Sequence, residues 1–230
     1  MRRTFIVLAM IALVALAGCS ALPASSSGLS SVEYPEHASA DGISDVDAFV
    51  SQMRSTLESE GYAMTITTEE ANSSGTTSTL TVDLAVAGDK TLYEYDLDRT
   101  AGTDEVWGWY HDGDTGYRKT PDGVRQKGSF DWQSQTYDTL VRHLQHLALS
   151  ASGTRSAGDR TLIVYDVTGF SPPSNPSRMT AEGEVVVDQQ GVIHSVDVTF
   201  SDTQSAYRTH VTVELTLEDP EVTAPSWVPE

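Results

Sequence analysis

The strongest constraint on the fold is a strict two-residue alternation of apolar and polar side chains. It is clearest near the C-terminus, over residues 206–218, where Val211, Val213 and Leu215 alternate with Thr212, Glu214 and Thr216. Successive side chains of a strand point to opposite faces, so each such segment buries one face only. The pattern recurs at 62–67, 80–86, 92–97, 106–110, 160–168, 180–188 and 192–200, and a turn at 112–114 leads into a further short strand at 117–119. It predicts an antiparallel sheet of seven to ten strands.

Two amphipathic helices interrupt the strands. Residues 45–60 carry one apolar stripe, with Ser44 as the expected N-cap and Gly61 as the stop. A second stripe predicts a helix over 134–149. The order of helix, strands, helix and strands predicts an α+β fold. A sheet of this size buries one face by curling, and the two helices are the available cover. We therefore expect a strongly curved antiparallel half-barrel with helices on its concave face.

The N-terminus resembles a lipoprotein export signal. Arg2 and Arg3 precede an apolar run of thirteen residues, 5–17, which is too short for a membrane-spanning helix of about 20 residues. The run ends in Leu-Ala-Gly before Cys19, the sole cysteine, and this tetrapeptide resembles a lipobox. The alternative is a chance cysteine in a membrane anchor.

Three regions follow from this interpretation. Residues 1–18 would be a signal peptide, and 19–42 would be the lipidated cysteine and a flexible tether rich in Ser, Ala, Gly and Pro. Residues 43–230 would form one domain. The anchor at Cys19 would hold the protein on the external face of the cytoplasmic membrane. The paired arginines also resemble a twin-arginine export motif, so either export route remains open.

The charge balance excludes one class of partner. With 33 acidic and 14 basic residues the formal charge is −19, and loss of Arg2 and Arg3 with the signal would make it −21. Such a surface argues against nucleic-acid binding, which needs a basic face. With only three lysines among the basic residues, the composition resembles that of extremely halophilic archaeal proteins, and an ordinary acidic secreted protein is the alternative. The halophilic interpretation predicts that folding depends on salt.

The order of elements resembles the superfamily of Lol-type lipoprotein carriers and mycobacterial glycolipid-handling lipoproteins. The resemblance covers about 43–228 and includes the leading helix (45–60), the aromatic hairpin at 107–117 and the closing Pro-Ser-Trp at 225–227. With the lipobox and the acidic composition, the chain resembles halophilic archaeal lipoproteins of this superfamily. The resemblance implies a cavity able to hold an acyl or isoprenoid chain. It does not imply carrier activity, because archaea with a single membrane have no outer membrane to supply.

Candidate ligand-contacting residues follow from the helix stripe and from the apolar faces of three strands. They are Phe49, Met53, Leu57, Leu80, Val82, Leu84, Val86, Tyr93, Tyr95, Trp107 and Trp109. These side chains would line an apolar cavity that binds a lipid or another hydrophobic ligand. The alternative is a solid core, which would make the protein a structural or interaction module of the cell envelope.

Other constellations have plainer interpretations. Asn72 begins an N-glycosylation sequon in a Gly/Ser-rich turn. His143 and His146 lie one helical turn apart, but without a matching ligand pattern they predict solvated histidines. Four basic residues within 118–127 would meet anionic lipid headgroups or solvent. No catalytic motif and no phosphate loop occurs in the sequence, so we expect neither enzymatic activity nor a cofactor or metal.

Overall fold

The computed structural model describes residue 29 and residues 31–102, 105–127, 132–171, 178–218 and 220–229. Within these ranges the chain forms thirteen strands and two longer helices. In chain order they are β1 (Ala38–Ser39), β2 (Gly42–Ile43), α1 (Val46–Leu57), β3 (Tyr62–Asn72), β4 (Gly75–Ala87), β5 (Lys90–Arg99), β6 (Glu105–Asp112), β7 (Thr115–Thr120), β8 (Gly123–Lys127), α2 (Trp132–Leu144), β9 (Leu147–Ala157), β10 (Arg160–Phe170), β11 (Met179–Asp188), β12 (Ile193–Asp202) and β13 (Arg208–Thr216).

Eleven of these strands form one antiparallel sheet. The strand order is β8-β7-β6-β5-β4-β3-β13-β12-β11-β10-β9, so each half of the chain contributes a run of neighbouring strands. The two runs meet where β3 pairs with β13, with Met64 opposite Leu215. Tight turns link β4 to β5 and β6 to β7, and Gly88 and Gly113 adopt the left-handed φ values of +59° and +56° that these two turns require. The predicted α+β class and antiparallel sheet are confirmed.

The sheet is open and is not strongly curled, so the predicted half-barrel is not confirmed. Strands β8 and β9 form its two edges. The strand count also exceeds the predicted seven to ten. The additional strands are β8, which is short and polar, and β9, whose first residues continue the apolar stripe of the preceding helix.

The register brings apolar side chains from many strands onto one face. Leu84 lies opposite Met64 on β3 and opposite Tyr93 on β5, and Val213 lies opposite Val196 on β12. Directly opposed residues share a face, so these pairs belong to one continuous surface. Both helices pack on this face. Phe49, Val50, Met53 and Leu57 of α1 and Tyr137, Leu140 and Leu144 of α2 belong to the same buried cluster as the strand residues.

The first helix begins one residue later than its predicted cap. Asp45, not Ser44, is the N-cap, and its carboxylate accepts a hydrogen bond of 3.0 Å from the Ala48 amide. The Ser44 hydroxyl instead donates to the carbonyl of His37 at 3.0 Å. The helix ends at Leu57, ahead of the predicted stop at Gly61.

The second helix is shorter than predicted. It ends at Leu144, and the chain re-enters the sheet at Leu147 as strand β9. Helical periodicity places Leu147 and Ala148 in the helix. In the structure both residues belong to β9 and pair with β10, where Leu147 lies opposite Phe170. Tertiary pairing overrides local periodicity at this point.

Two peripheral segments pack on the sheet. Val32, Tyr34 and Ala38 lie against the core, and the Ala151 amide of edge strand β9 donates to the carbonyl of Ala40 at 2.8 Å. The packed region therefore begins N-terminal to residue 43. The C-terminal segment packs on the other face of the sheet, the one without the helices. There the Trp227 ring lies so close to β6 that a β-carbon added at Gly108 would be 2.9 Å from it. Within the described ranges no helix is both long enough and apolar enough to span a bilayer.

Candidate functional site: a cleft beneath the second helix

A cleft of about 740 Å³ lies between helix α2 and strands β3–β6. Its volume falls within the range of about 300–1,000 Å³ that is usual for small-molecule sites. The lining residues are Ile66, Thr68, Leu80, Val82, Tyr93, Tyr95, Glu105, Trp107, Trp109, Asp138, Thr139, Arg142 and His143. We call this space the α2 cleft.

The sheet wall of the α2 cleft is apolar and aromatic. The register aligns Val82, Tyr95 and Trp107 across three neighbouring strands. The Tyr93 and Trp109 rings meet edge to face with centroids 5.2 Å apart, and Trp107 stacks beside Trp109 at 6.3 Å. Such aromatic pairs hold one another in fixed orientations. The wall is therefore a defined apolar surface, and its outer members, Tyr95 and Trp107, remain partly exposed.

The phenol groups of this wall stay uncharged at neutral pH. Burial and the neighbouring Tyr95 raise the pKa of Tyr93 to about 12. Burial also raises the pKa of Tyr95, and the nearby Glu105 adds to the effect. The Glu105 carboxylate, which lines the cleft, lies 3.0 Å from the Arg99 guanidinium.

Helix α2 supplies the polar roof. Asp138, Thr139, Arg142 and His143 form one flank of the helix, beside the stripe that packs on the sheet. The Arg142 side chain donates to the Asp138 carbonyl at 3.4 Å and to the Thr139 hydroxyl at 3.3 Å. A site with an apolar floor and a polar edge suits an amphiphilic molecule better than a uniformly polar one.

His143 is part of this roof and is half-buried, whereas the sequence predicts a solvated histidine. Its ring lies 6.2 Å from the Phe200 ring, and burial, with a smaller effect of Arg142, lowers the pKa of His143 below its ordinary value. The imidazole is therefore neutral at pH 7. His146 also lies against an aromatic ring, that of Phe170, at 6.3 Å. The described part of the chain contains no group of three His, Cys, Asp or Glu side chains placed to hold a metal ion.

The structure divides the predicted ligand-contacting residues into two groups. Those that line the α2 cleft are Leu80, Val82, Tyr93, Tyr95, Trp107 and Trp109. The helix α1 residues Phe49, Met53 and Leu57 do not line it, because their side chains are fully buried in the core. Leu84 is likewise buried, and Val86 packs against the core cluster without reaching the cleft. The cleft of the described structure lies beneath α2 and takes no lining residue from α1.

Sequence reasoning missed the roof residues. Asp138, Thr139, Arg142 and His143 flank an apolar stripe, as polar residues do on any surface helix. The spacing of these four residues along the sequence does not show whether their flank of the helix faces a cleft or the solvent. Only the strand and helix placement reveals which flank faces the sheet.

One of the two predicted modification sites, Asn72, lies within the described residues, and it does not line the cleft. Cys19 is outside the described residues, and its lipidation stays a prediction. Asn72 is exposed at the end of β3, and its side-chain oxygen accepts a hydrogen bond of 2.7 Å from the Ser74 amide. Glycosylation of Asn72 also stays a prediction.

Comparison with known proteins gives distant structural likenesses only. No protein-family model matches the chain, and no curated protein matches it. Among solved structures, LprF from Mycobacterium bovis is 8% identical, with a TM-score of 0.39 over 80% of this chain and 97% of that one. The lipoprotein LppX from Mycobacterium tuberculosis is 12% identical, with a TM-score of 0.35 over 77% of this chain and 97% of that one.

A LolA-superfamily protein from Nitrosomonas europaea is also similar. It is 8% identical, with a TM-score of 0.29 over 76% of this chain and 94% of that one. All three TM-scores lie below 0.5. At TM-scores below 0.5 they carry no conclusion about what this chain binds.

Proposed function

We propose that this chain is a lipid-anchored, extracytoplasmic, non-enzymatic protein that holds a lipid or another hydrophobic ligand in the α2 cleft. The observation that supports the proposal is the cleft of about 740 Å³ with an apolar floor from four adjacent strands. Partly exposed aromatic side chains such as Tyr95 and Trp107 lose water-facing surface when an apolar chain covers them. That burial contributes about 25 cal/mol per Å² of apolar surface.

Within the described ranges, the half of the interior beneath α1 is close-packed. The apolar stripe of α1 (Phe49, Val50, Met53 and Leu57) and the core-facing valines of β11–β13 are almost fully buried. A ligand in the α2 cleft would therefore enter beside the roof formed by α2. The lipid anchor at Cys19, proposed from its lipobox-like surroundings, would place this entrance close to a membrane surface.

The test is direct detection of bound lipid. The full chain is purified from membranes in high salt, and its bound lipids are extracted and quantified by mass spectrometry. Leu80→Trp fills the cleft floor and should reduce bound lipid strongly. Thr81→Trp is the matched control, because the next residue of the same strand points to the opposite face, and it should retain the lipid of the unmodified chain.

Two results would contradict the proposal. Absence of bound lipid from the unmodified chain, in several expression hosts, would favour the alternative of a structural or interaction module. Equal lipid in the Leu80→Trp and Thr81→Trp variants would place the ligand outside the α2 cleft. Circular dichroism of each variant checks that the chain is folded.

A further inference from the structure

The basic side chains of this acidic protein are unevenly paired. Those with a carboxylate within 4.0 Å are Arg54, Lys90, Arg99, Arg155, Arg160 and Arg178. Within the described ranges, those with no such partner are Arg118, Lys119, Arg125, Arg142 and Arg208. Three of these five, Arg118, Arg125 and Arg142, lie at the α2 cleft or directly beside it. In a chain of formal charge −19, this places unneutralised positive charge at the candidate site.

Two of these arginines face each other across neighbouring strands. Arg118 on β7 is the register partner of Arg125 on β8, and Arg118 is also the partner of Trp109 on β6. Directly opposed residues share a face, so both arginines lie on the cleft side of the sheet. Like charges in this arrangement repel each other. An anion between them would remove the repulsion.

Arg118 is held in a fixed position. Its guanidinium lies 4.7 Å from the centroid of the Trp107 ring and 5.1 Å from that of Trp109, within the range of cation–π contact. Its Nε is buried and has no hydrogen-bond partner within the described residues. A buried charged donor left without a partner is costly, and an incoming oxyanion would satisfy it.

A second hollow, of about 240 Å³, lies between these arginines. It is lined by Trp107, Arg118, Thr120, Asp122 and Arg125, and it shares Trp107 with the α2 cleft. Asp122 is the one carboxylate among the described lining residues, is exposed, and forms no ion pair with either arginine within 4.0 Å. The hollow therefore combines two cations, a hydroxyl and one exposed carboxylate at the end of an apolar cleft.

We infer that the ligand is an anionic amphiphile, with its oxyanion headgroup, a phosphate being the best fit, between Arg118 and Arg125 and its apolar chain in the α2 cleft. This inference rests on the proposed function and narrows its ligand class. Arginine binds phosphate through two parallel N–H donors, which fixes the headgroup as well as attracting it. Trp107 separates the headgroup hollow from the chain-binding floor.

The experiment compares two probes that differ in the headgroup only. The full chain in maltoside micelles is mixed with equimolar lysophosphatidic acid and monoacylglycerol of the same acyl chain. Native mass spectrometry then measures the ratio of the two complexes. The unmodified chain should favour lysophosphatidic acid by about tenfold or more, since a hydrogen bond to a charged group contributes that much.

Matched variants locate the effect. The double variant Arg118→Gln/Arg125→Gln should bring the ratio close to one and leave monoacylglycerol binding in place. Arg208→Gln removes an arginine that lies away from the cleft and should leave the ratio unchanged. Arg118→Lys keeps the charge but not the paired donors, and should give an intermediate ratio. Native charge-state distributions show whether each variant is folded.

Each contrary outcome has one meaning. If both probes bind equally to the unmodified chain, the proposed headgroup site is wrong, but the proposal of a hydrophobic ligand in the α2 cleft is unaffected. If neither binds, the proposed function itself fails. If free glycerol phosphate displaces lysophosphatidic acid at equal concentration, the hollow is a site for soluble phosphate and the assignment to an amphiphile is overturned.

Discussion

Replacement of Phe49 distinguishes a close-packed helix α1 from a helix that covers a void. The Phe49 side chain is 0% exposed and belongs to the main buried cluster, together with Met53 and Leu57. The α2 cleft takes no lining residue from α1. Phe49→Ala should therefore leave a true cavity and cost about 3–5 kcal/mol of unfolding free energy.

The assay is thermal unfolding followed by circular dichroism at fixed salt. For a domain of this size about 1 kcal/mol lowers Tm by roughly 2–4 °C, so Phe49→Ala should lower Tm by roughly 6–20 °C. Ser51→Ala, on the exposed face of the same helix, should change stability by no more than about 0.5 kcal/mol. Lipid bound in the cleft should be unchanged by either variant.

A loss of less than about 1.5 kcal/mol in Phe49→Ala would mean that α1 does not pack tightly on the sheet. If that small loss came with an altered set of bound lipids, the ligand space would extend beneath α1 as the sequence first suggested.

Three further predictions concern charge and processing. The Asp188 carboxylate is 2% exposed and accepts hydrogen bonds from the amides of Gln190 and Val192 and from His194. Burial alone would raise the pKa of Asp188, but the hydrogen bonds from His194 and Val192 outweigh it and lower that pKa. Its contribution to stability is therefore complete above about pH 4 and is lost as the pH falls through the lowered folded-state pKa. Asp188→Ala should cost about 3 kcal/mol at pH 7 and flatten the acid side of the stability profile, and an unchanged acid profile in a pH-dependent denaturation series would contradict this. Cys19→Ser should release the protein to the medium or leave the signal uncleaved, and processed, membrane-bound Cys19→Ser protein on an immunoblot would disprove lipidation. Because the Debye length falls from about 10 Å at 0.1 M salt to about 3 Å at 1 M, Tm should rise between 0.1 and 3 M KCl, and a Tm that does not rise would exclude salt-dependent folding.

The sequence predicts most of the sheet because alternation is a local signal. In segments such as 206–218 and 80–86 the alternation indicates one buried face, whichever strand lies next to them. Both segments form strands of the sheet. The predicted end of α2 is wrong for a related reason. Leu147 fits both a helical stripe and a strand, and only its pairing with Phe170 on β10 decides between them.

The candidate site was only half predictable. Its floor follows from strand alternation, which places Tyr93, Tyr95, Trp107 and Trp109 on one face. Its roof and its charge do not, because the position of α2 over the sheet is a tertiary property. The same is true of Arg118, whose role depends on the register that sets it beside Trp109 and opposite Arg125.

The two halves of the sheet differ in how completely their shared face is filled, and residue type accounts for the difference. On β11–β13 that face carries valines such as Val185, Val198 and Val211, each no more than 1% exposed. Short, stiff, branched side chains let the helices approach closely and leave no room for a ligand. On β5 and β6 the face carries tyrosines and tryptophans, whose rings pack against one another and against Arg118. These rings pack side by side along the strands. The polar flank of α2 does not pack onto this apolar surface, because burying its polar groups without partners would be costly. A gap therefore remains between the rings and α2. One continuous sheet thus gives a rigid core on one side and an open aromatic cleft on the other.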